Sequence, residues 1–341
     1  MLHFDSDYME GAHQDVMRRL MATNLEQTSG YGTDPHTENA KKLILKACGL
    51  KKGKVYLLVG GTQTNTTVID GILAHHEGVL AATSGHINVH ESGAIEACGH
   101  KVLTLPQFQG KVRACDVEKY ISDYYQNESY EHVVAPGMLY ISHPTELGTL
   151  YKLEELEAIS SVCKKAGIPL FLDGARLGYG LAAKCTDVTL KDIARLCDVF
   201  YIGGTKVGAL FGEAVVVTNE KLLHHFTPLI KQHGALLAKG RLLGVQFETL
   251  FTDDLYIKIS QHAIDMAMKM KEAFLEKGYR MVVDSPTNQQ FFYLLNDDLD
   301  RLKKIATFEL WGLKGETETP VRFVTSWATT ESAVDQLIAN L

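Results

Sequence analysis

The sequence predicts an α/β fold in which a large domain with a mostly parallel sheet is followed by a smaller α+β domain. Two observations support this prediction. Between residues 50 and 220, short runs rich in β-branched and aromatic residues alternate with segments of helical periodicity. After about residue 250, one long helical segment precedes several closely spaced strands. Alternation of the first kind is typical of βα units, whose parallel strands are covered by helices on both faces.

Seven strands are predicted in the first part of the chain. In order they are "KVYLLVGG", "GVLAAT", "KVLTLP", "GMLYISHP", "IPLFLDGAR", "DVFYIGGTK" and "EAVVVT". The clearest helix between them is "KLEELEAISSVCKKAG", with Leu153, Leu156, Ile159, Val162 and Cys163 at helical spacing. We therefore expect residues 20–250 to form the large domain.

The pattern after residue 250 predicts the smaller domain. A long helix is expected from about Ile257 to Lys277. Strands are expected at "RMVVD", "QQFFYLL", "FELWGL" and "VRFVTSW", with helices between and after them. We expect residues 251–341 to form this domain and residues 1–19 to complete it.

Composition limits the classes of function. The 341 residues are 45% hydrophobic and 22% charged, as in ordinary globular proteins. A net charge of -7 without a long basic run argues against nucleic acid as a partner.

The polar, acidic start "MLHFDSDYMEGAHQDV" does not resemble a signal peptide, and no apolar run is long enough to span a membrane. Six cysteines without a CxxC pair indicate reduced thiols, not a zinc site. We expect a cytoplasmic protein with small-molecule ligands.

Lys206 is the one charge between two apolar runs in "DVFYIGGTKVGALFGEAVVV". Burial disfavours an ammonium group and lowers its pKa, which leaves a neutral amine able to attack a carbonyl and form a Schiff base. The alternative is that Lys206 extends its charged end to solvent from the end of a strand.

Asp173 and the turn from Gly60 to Asn65 also follow predicted strands, where ligands bind in open α/β sheets. The carboxylate can bind magnesium or a ribose, act as a base, hold a protonated ring nitrogen, or cap the next element. The turn, which includes Gly61, Thr62 and Gln63, offers backbone N–H groups to a phosphate, or is a simple helix cap. It matches neither common nucleotide-binding glycine motif.

His86 lies in "SGHINVHESGA", where His90 and Glu91 do not complete the HExxH zinc motif. We predict no metal site there. An aromatic ring at the end of a strand can instead stack on a flat cofactor. Pyridoxal 5′-phosphate (PLP) combines an aldehyde for Lys206, a phosphate for the turn, a pyridine nitrogen for Asp173 and a flat ring for His86.

The order of several motifs resembles that of the threonine aldolases, which belong to the β-eliminating lyase group of the aspartate aminotransferase-like fold. The motifs are "FDSD", "YGTDP", "GGTQTN", "GHINVHESGA", "FLDGARL", "GGTK" and "VRFVTSW", and they span nearly the whole chain. The resemblance implies PLP-dependent retro-aldol cleavage of β-hydroxy-α-amino acids, with L-threonine or L-allo-threonine giving glycine and acetaldehyde. It also implies that Lys206 forms the Schiff base, Asp173 pairs with the pyridinium nitrogen and His86 stacks on the ring. Phosphate contacts fall on Gly61, Thr62 and Gln63, with Thr205 as a helper.

The resemblance also assigns substrate contacts. Ser6, Arg176 and Arg322 match positions that bind the substrate carboxylate, and Arg176 also lies beside the cofactor. His143 in "YISHPTELG" falls where the family has a second active-site histidine. Either His86 or His143 is therefore expected to take the β-hydroxyl proton.

The family completes its phosphate site with basic residues of a neighbouring subunit, which implies a homodimer or homotetramer. Lys231, Lys239 and Arg241 are the basic residues available in "IKQHGALLAKGR". Two alternatives to the aldolase remain at this stage. One is a PLP lyase that eliminates a β-substituent from another amino acid, and the other is a protein that binds PLP or a metabolite without turnover.

Overall fold

The structure is a computed structural model that describes residues 1–341. The strands are β1 (Leu2–His3), β2 (Lys54–Leu58), β3 (Glu77–Ala82), β4 (Val102–Leu105), β5 (Ala135–Ser142), β6 (Leu170–Asp173), β7 (Val199–Gly203), β8 (Glu213–Val217), β9 (Met281–Val283), β10 (Gln289–Leu295), β11 (Ala306–Thr307), β12 (Glu309–Leu310) and β13 (Glu318–Val324).

Helices cover most of the intervals between the strands. They are α1 (Gln14–Ala22), α2 (Pro35–Ala47), α3 (Gly61–Ile72), α4 (His86–Val89), α5 (Ala94–Ala97), α6 (Ala114–Gln126), α7 (Leu153–Ala166), α8 (Leu177–Ala182), α9 (Leu190–Leu196), α10 (Phe226–Gln232), α11 (Arg241–Leu250), α12 (Leu255–Glu276), α13 (Asn296–Leu302) and α14 (Glu331–Ile338), with one 3₁₀ turn at Tyr130–His132. None of these helices combines the length and the apolar character that crossing a membrane requires.

The central sheet has seven strands in the order β2-β8-β7-β6-β5-β3-β4. Strands β3 to β7 pair with one another in parallel. Strand β8 runs antiparallel to both of its neighbours, β2 and β7. Because β8 is reversed relative to both, β2 has the same direction as the other five strands. The predicted mostly parallel sheet is therefore confirmed.

Hydrophobic clusters cover both faces of this sheet. On β3, for example, Leu80 belongs to one cluster and its neighbour Val79 to the other. The same alternation occurs on β6, where Leu172 and Phe171 face opposite sides. Both faces are buried, which is why the strands of the sequence appear as nearly continuous apolar runs.

A second sheet, antiparallel and ordered β12-β13-β10-β9, lies in the C-terminal part of the chain. Its hydrophobic cluster includes Phe274, Phe292, Phe323 and also Phe4 from the N-terminal segment. Strand β1 pairs with β11, and the N–H of Val324 donates to the carbonyl of Phe4 at 2.7 Å. The first residues of the chain thus pack on its last strands.

The long helix α12 joins the two hydrophobic regions. Ile259 and Ile264 contact a cluster of the central sheet, whereas Met270 and Phe274 belong to the C-terminal cluster. Because one helix serves both regions, the division of the chain at residue 250 stays a prediction. The strand expected at "FELWGL" is shorter than predicted, since Gly312 takes a φ of 142°, a backbone conformation that leaves the strand.

The carboxyl edge of the central sheet collects the polar residues singled out in the sequence. Asp173 ends β6 and pairs with Ser142, which ends β5. Lys206 follows β7, and α3 and α4 start just beyond β2 and β3. Because β8 is antiparallel, its first residue, Glu213, lies at this edge opposite Gly203.

Candidate active site

Two adjoining cavities open at the carboxyl edge of the central sheet. The first, here the Asp173 cavity, is lined by residues that include Gly61, Thr62, Asp173 and Thr205. The second, here the Arg322 cavity, is lined by residues that include Tyr8, His90, Trp311 and Arg322. Four residues, His86, Glu146, Arg176 and Lys206, line both cavities and are called the junction residues below.

Lys206 lies partly buried just after β7, with its backbone carbonyl accepting a hydrogen bond from the Tyr179 hydroxyl at 2.5 Å. Burial lowers the pKa of the Lys206 ammonium, and the positive charge of Arg176 lowers this pKa further. The carboxylates of Asp7 and Asp173 oppose the shift without reversing it. A lowered pKa leaves more of the amine in its neutral, nucleophilic form.

Glu213 is a site residue that the sequence analysis missed. It accepts a hydrogen bond from the N–H of Gly204 at 3.1 Å, next to Lys206, and it lines the Asp173 cavity. Burial raises the pKa of the Glu213 carboxyl to about 8, while Lys206 opposes that rise. In the sequence, Glu213 could have been noticed as a charge at the start of the apolar run "EAVVV". It lies at the carboxyl edge of the sheet because β8 runs antiparallel.

Asp173 is a buried carboxylate with several donors around it. It accepts hydrogen bonds from the Tyr140 hydroxyl at 2.6 Å, from Asn65 Nδ2 at 3.1 Å and from the N–H of Ala175 at 2.9 Å. Burial raises the pKa of Asp173, but His86 and the hydrogen bonds from Tyr140 and Tyr201 together lower it below the ordinary value. A charged carboxylate in this cavity can hold a protonated ring nitrogen.

His86 begins α4 and is anchored by Glu91, a second residue that the sequence analysis did not place in the site. His86 Nδ1 lies 2.7 Å from Glu91 Oε1, and the side chain of Glu91 is fully buried. Asn65 Nδ2 donates to both Glu91, at 2.7 Å, and Asp173, at 3.1 Å. This network fixes the imidazole ring at the wall of the cavity. Glu91 had been considered only as part of an incomplete metal motif.

The N-terminus of α3 faces the Asp173 cavity through Gly61 and Thr62. Its cap, Gly60, has no side-chain hydrogen bond, and the first turn contains no acidic residue. Free N–H groups of such a turn attract an anion. The Gln63 side chain does not line the cavity, because it accepts from the N–H of Val59 at 3.3 Å and donates to the carbonyl of His233 at 3.0 Å. Only its backbone N–H remains available for the predicted phosphate contact.

Arg176 is held by Asp7, which the sequence analysis also missed. Arg176 Nε and Nη2 donate to the two Asp7 oxygens at 2.7 and 3.0 Å. Asp7 is fully buried and also accepts from Asn288 Nδ2 at 2.9 Å. Ser6, the predicted substrate contact, lines neither cavity, but its neighbour Tyr8 lines the Arg322 cavity. The N-terminal segment therefore reaches the site through Asp7 and Tyr8, which both follow Ser6.

Arg322 points into the second cavity from β13. Its Nη1 donates to Gln289 Oε1 at 2.8 Å, its Nη2 donates to Glu309, and its guanidinium carbon lies 4.9 Å from the Trp311 ring centroid. The buried Nε has no hydrogen-bond partner. Burial lowers the pKa of this guanidinium, as does the nearby charge of Arg176. Two arginines thus present positive charge to one cavity, which suits a carboxylate.

His143 lines neither cavity, although Ser142 and Pro144 on either side of it line the Asp173 cavity. Its ring is fully buried, its Nδ1 accepts from the N–H of Tyr151 at 3.4 Å, and its Nε2 has no partner. Burial lowers the pKa of the His143 imidazole to about 4. This position gives no support to the predicted role of His143 as the proton acceptor, which stays a prediction.

Glu146, three residues further on, lines both cavities where His143 lines neither. Its Oε1 accepts from the N–H of His86 at 2.9 Å and from Ser142 Oγ at 2.6 Å. The sequence analysis missed Glu146, although it stands in the quoted segment "YISHPTELG" that follows a buried strand.

Comparison with known proteins gives consistent results. The model of the beta-eliminating lyase family matches residues 3–297. A low specificity L-threonine aldolase of Pseudomonas sp. (strain NCIMB 10558) is 28% identical over 348 residues, covering 99% of this chain and 96% of the relative. A protein of the same description from Saccharomyces cerevisiae is 25% identical and covers 81% of this chain and 70% of the relative.

Solved structures extend the comparison to the fold. The structure of Leishmania major threonine aldolase superimposes with a TM-score of 0.96 at 41% identity, covering 99% of this chain and 98% of that one. An aspartate aminotransferase from Thermus thermophilus gives a TM-score of 0.73 at 13% identity, covering 100% of this chain and 90% of the other. The second likeness shows the fold alone, which is the aspartate aminotransferase-like fold expected from the sequence.

Proposed function

The chain belongs to the beta-eliminating lyase family, and from this premise we propose that it cleaves L-threonine or L-allo-threonine into glycine and acetaldehyde. Relatives described as low specificity L-threonine aldolases match 99% of the chain. The observation that carries the proposal is the pair of adjoining cavities, with Lys206 and Asp173 in one and Arg322 in the other. A binding site for an amino acid needs one group that bonds to the amine and another that binds the carboxylate.

PLP is the cofactor of this family, and the residues present fit it. Lys206, with its lowered pKa, would bond to the aldehyde carbon, and the Asp173 carboxylate would face the ring nitrogen. The N-terminal turn of α3, with Gly61 and Thr62, would receive the phosphate. Thr205, whose Oγ1 accepts from the N–H of Gly212 at 3.0 Å, lines the same cavity. When bound, PLP supplies an electron sink for the bond that breaks at the substrate Cα.

Arg176 and Arg322 orient the substrate. A carboxylate bound between two guanidinium groups cannot rotate freely, so the directions of the bonds at the substrate Cα are fixed. Glu309 pairs with Arg322 in the free protein, so a substrate carboxylate must share or replace that contact. We propose that this geometry selects the Cα–Cβ bond.

Asp173 and His86 are proposed to contact the cofactor ring, Asp173 at the ring nitrogen and His86 on the ring face. The Asp173 carboxylate stays charged and so keeps a proton on the ring nitrogen, which strengthens the electron sink. His86, fixed by Glu91 at 2.7 Å, offers its flat ring for stacking. These roles keep the cofactor charged and immobile throughout turnover.

Substrate profiling of the purified holoenzyme tests the proposal. Threonine and allo-threonine should give acetaldehyde and glycine in equal amounts, without ammonia or pyruvate. Ammonia and pyruvate from serine or cysteine, with no acetaldehyde from threonine, would instead indicate β-elimination. A yellow protein that turns over none of these amino acids would be a binding protein without catalytic activity.

We also propose that the chain forms a homodimer or homotetramer. Several large apolar side chains in and after α1 are exposed, among them Met17, Met21, Leu25 and Tyr31. Lys231 lies 4.7 Å from the Tyr31 ring, and Lys239 is exposed, so both can reach a neighbouring subunit. Arg241 instead donates to the carbonyls of residues 23, 24 and 26 in its own chain. An active monomer in sedimentation velocity would contradict the proposal.

A cytoplasmic location is proposed from the cysteines. Cys48, Cys163 and Cys197 are buried as free thiols in one cluster of the central sheet. Burial raises the pKa of each thiol, which keeps them protonated and unreactive. Reduced thiols are typical of the cytoplasm, and cell fractionation tests the location.

A further inference from the structure

The four junction residues mark where the reacting bond of a bound substrate must lie. The argument rests on the proposed function, in which the amine is captured near Lys206 and the carboxylate is bound by Arg322. Lys206 and Arg322 both line the Arg322 cavity, but only Lys206 also lines the Asp173 cavity. The substrate Cα and Cβ therefore lie between them, beside His86, Glu146 and Arg176.

Retro-aldol cleavage needs a group at this junction that accepts the β-hydroxyl proton. Arg176 is a cation with two of its N–H groups bound to Asp7, and cannot accept a proton. His86 donates through Nδ1 to Glu91, and its ring face serves the cofactor in the proposed function. Lys206 is assigned to the cofactor aldehyde in the proposed function. Glu146 is the one carboxylate among the junction residues, and no other role is assigned to it.

The hydrogen bonds of Glu146 hold its carboxylate in one orientation. Oε1 accepts from the N–H of His86 at 2.9 Å and from Ser142 Oγ at 2.6 Å. Oε2 receives no hydrogen bond from another residue. One oxygen is thus anchored to the walls of the site, and the other is available to a ligand in either cavity.

We propose that Glu146 is the catalytic base that accepts the β-hydroxyl proton of the substrate. The O–H bond breaks and its proton passes to the Glu146 carboxylate. The electron pair of that O–H bond becomes the second bond of the aldehyde carbonyl. The Cα–Cβ bond breaks at the same time, and its electron pair would be taken up by the electron sink that bound PLP would supply. The carboxyl group then holds one proton, which it returns to water after the aldehyde leaves.

The surroundings of Glu146 favour this role. Burial raises the pKa of the Glu146 carboxyl, and the nearby charge of Asp173 raises this pKa further. The hydrogen bonds from Ser142 and His86 lower the pKa, but the net shift is upward. A carboxylate with a raised pKa is a stronger base than an exposed one, and a base is most effective when its pKa approaches the working pH.

The test uses the holoenzyme of the variant Glu146→Gln, whose amide oxygen can still accept from His86 and Ser142. We expect kcat for threonine cleavage to fall roughly 100-fold or more, as for other lost general bases. Exchange of the glycine α-proton in D₂O, followed by NMR, involves no β-hydroxyl group and should stay within about threefold of wild type. The dissociation constant of glycine, measured from the change in the cofactor absorption spectrum, should also be preserved. Glu146→Asp, which keeps a carboxylate, should cleave threonine at least about tenfold faster than Glu146→Gln.

Three results would overturn the assignment. Normal threonine cleavage by Glu146→Gln would show that another group takes the proton. An equal loss of cleavage and glycine exchange in Glu146→Gln would show that Glu146 only maintains the site. Equal cleavage rates for Glu146→Asp and Glu146→Gln would show that the carboxylate is not required. Failure of the proposed function looks different, because wild-type protein itself would then cleave no threonine.

Discussion

Arg176, which is partly exposed to the cavities, and the buried Asp7 form an ion pair with two hydrogen bonds, at 2.7 and 3.0 Å, between the segment after β6 and the N-terminal segment. The fork of the guanidinium matches the two carboxylate oxygens, so the pair fixes the direction of the arginine as well as its position. Asn288 donates to the same carboxylate at 2.9 Å. The orientation of Arg176, a residue of the predicted substrate site, is thus set by Asp7, which lies 169 positions away in the chain.

Removing Asp7 should destabilise the protein. In Asp7→Ala the partly exposed Arg176 loses its buried partner, and the loss in the free energy of unfolding should reach at most the roughly 3–5 kcal/mol that breaking a fully buried pair costs. Urea denaturation of the apoenzyme measures this cost. Asp15→Ala is the matched control, because Asp15 pairs with Arg18 at an exposed site and its loss should cost about 1 kcal/mol or less. Equal effects of the two substitutions would contradict the importance of the buried pair.

Lys206→Ala should give folded protein that no longer binds PLP covalently. Lys206 is the only lysine that lines either cavity. Borohydride reduction of the wild-type holoenzyme, followed by mass spectrometry of its peptides, should find the cofactor on Lys206 alone. Lys119→Ala, which removes an exposed lysine paired with Asp123 outside the cavities, serves as the control and should still be labelled at Lys206. Label on another lysine of the wild type would refute the assignment.

Arg322→Met should weaken the recognition of the substrate carboxylate. Losing a charge-assisted hydrogen bond costs roughly 1.5–3 kcal/mol, or about ten- to a hundredfold in kcat/KM, and misorientation of the substrate adds to it. Wild type should prefer threonine over threonine amide, and the variant should lose most of this preference while its cofactor spectrum stays normal. Arg280→Met is the control, since Arg280 also pairs with a glutamate and lies over an aromatic ring, but outside the cavities. A preserved preference in Arg322→Met would remove Arg322 from the substrate site.

Glu309→Gln should lower KM for threonine. The Glu309 carboxylate pairs with Arg322 in the free protein, so the substrate carboxylate has to compete with it. Half-exposed pairs of this kind contribute up to about 1 kcal/mol, which corresponds to a decrease in KM of at most about fivefold. Steady-state kinetics with threonine should show this decrease with little change in kcat. A rise in KM would mean that Glu309 helps to bind the substrate.

His143 should make stability depend on pH. Burial lowers the pKa of its imidazole from 6.5 to about 4, so the folded state binds fewer protons than the unfolded state between these values. Its contribution is therefore present above about pH 6.5 and is lost as the pH falls toward 4, by about 3 kcal/mol at most. His143→Gln should show a smaller fall in the free energy of unfolding than wild type across this range. Parallel curves for the two proteins would show that His143 does not cause the fall.

The fold class and the main motifs could be predicted from the sequence because they depend on local patterns. Continuous apolar runs ending in Asp173 or in a glycine turn indicate parallel strands and the edge at which ligands bind. Asp7 and Glu213 were missed because their roles depend on partners and strand directions set by distant parts of the chain. His143 and Ser142 show another limit, since Ser142 ends β5 and lines the cavity, whereas the next residue, His143, does not. The aldolase activity was expected from the resemblance, whereas the position of Glu146 where the two cavities meet is a feature of the folded structure.

The pairing of β1 with β11 also affects when this protein can become active. Leu2 pairs with Ala306, so the segment that carries Asp7 has no strand to join until Ala306 has been synthesised and has left the ribosome. The central sheet, complete by Val217, can form earlier during synthesis. A nascent chain, or one truncated before β11, would thus have the carboxyl edge of the central sheet with Lys206. It would lack Arg322, and its N-terminal segment would not be anchored. The order of synthesis therefore delays the assembly of the carboxylate-binding half of the site until β11 and β13 have been made.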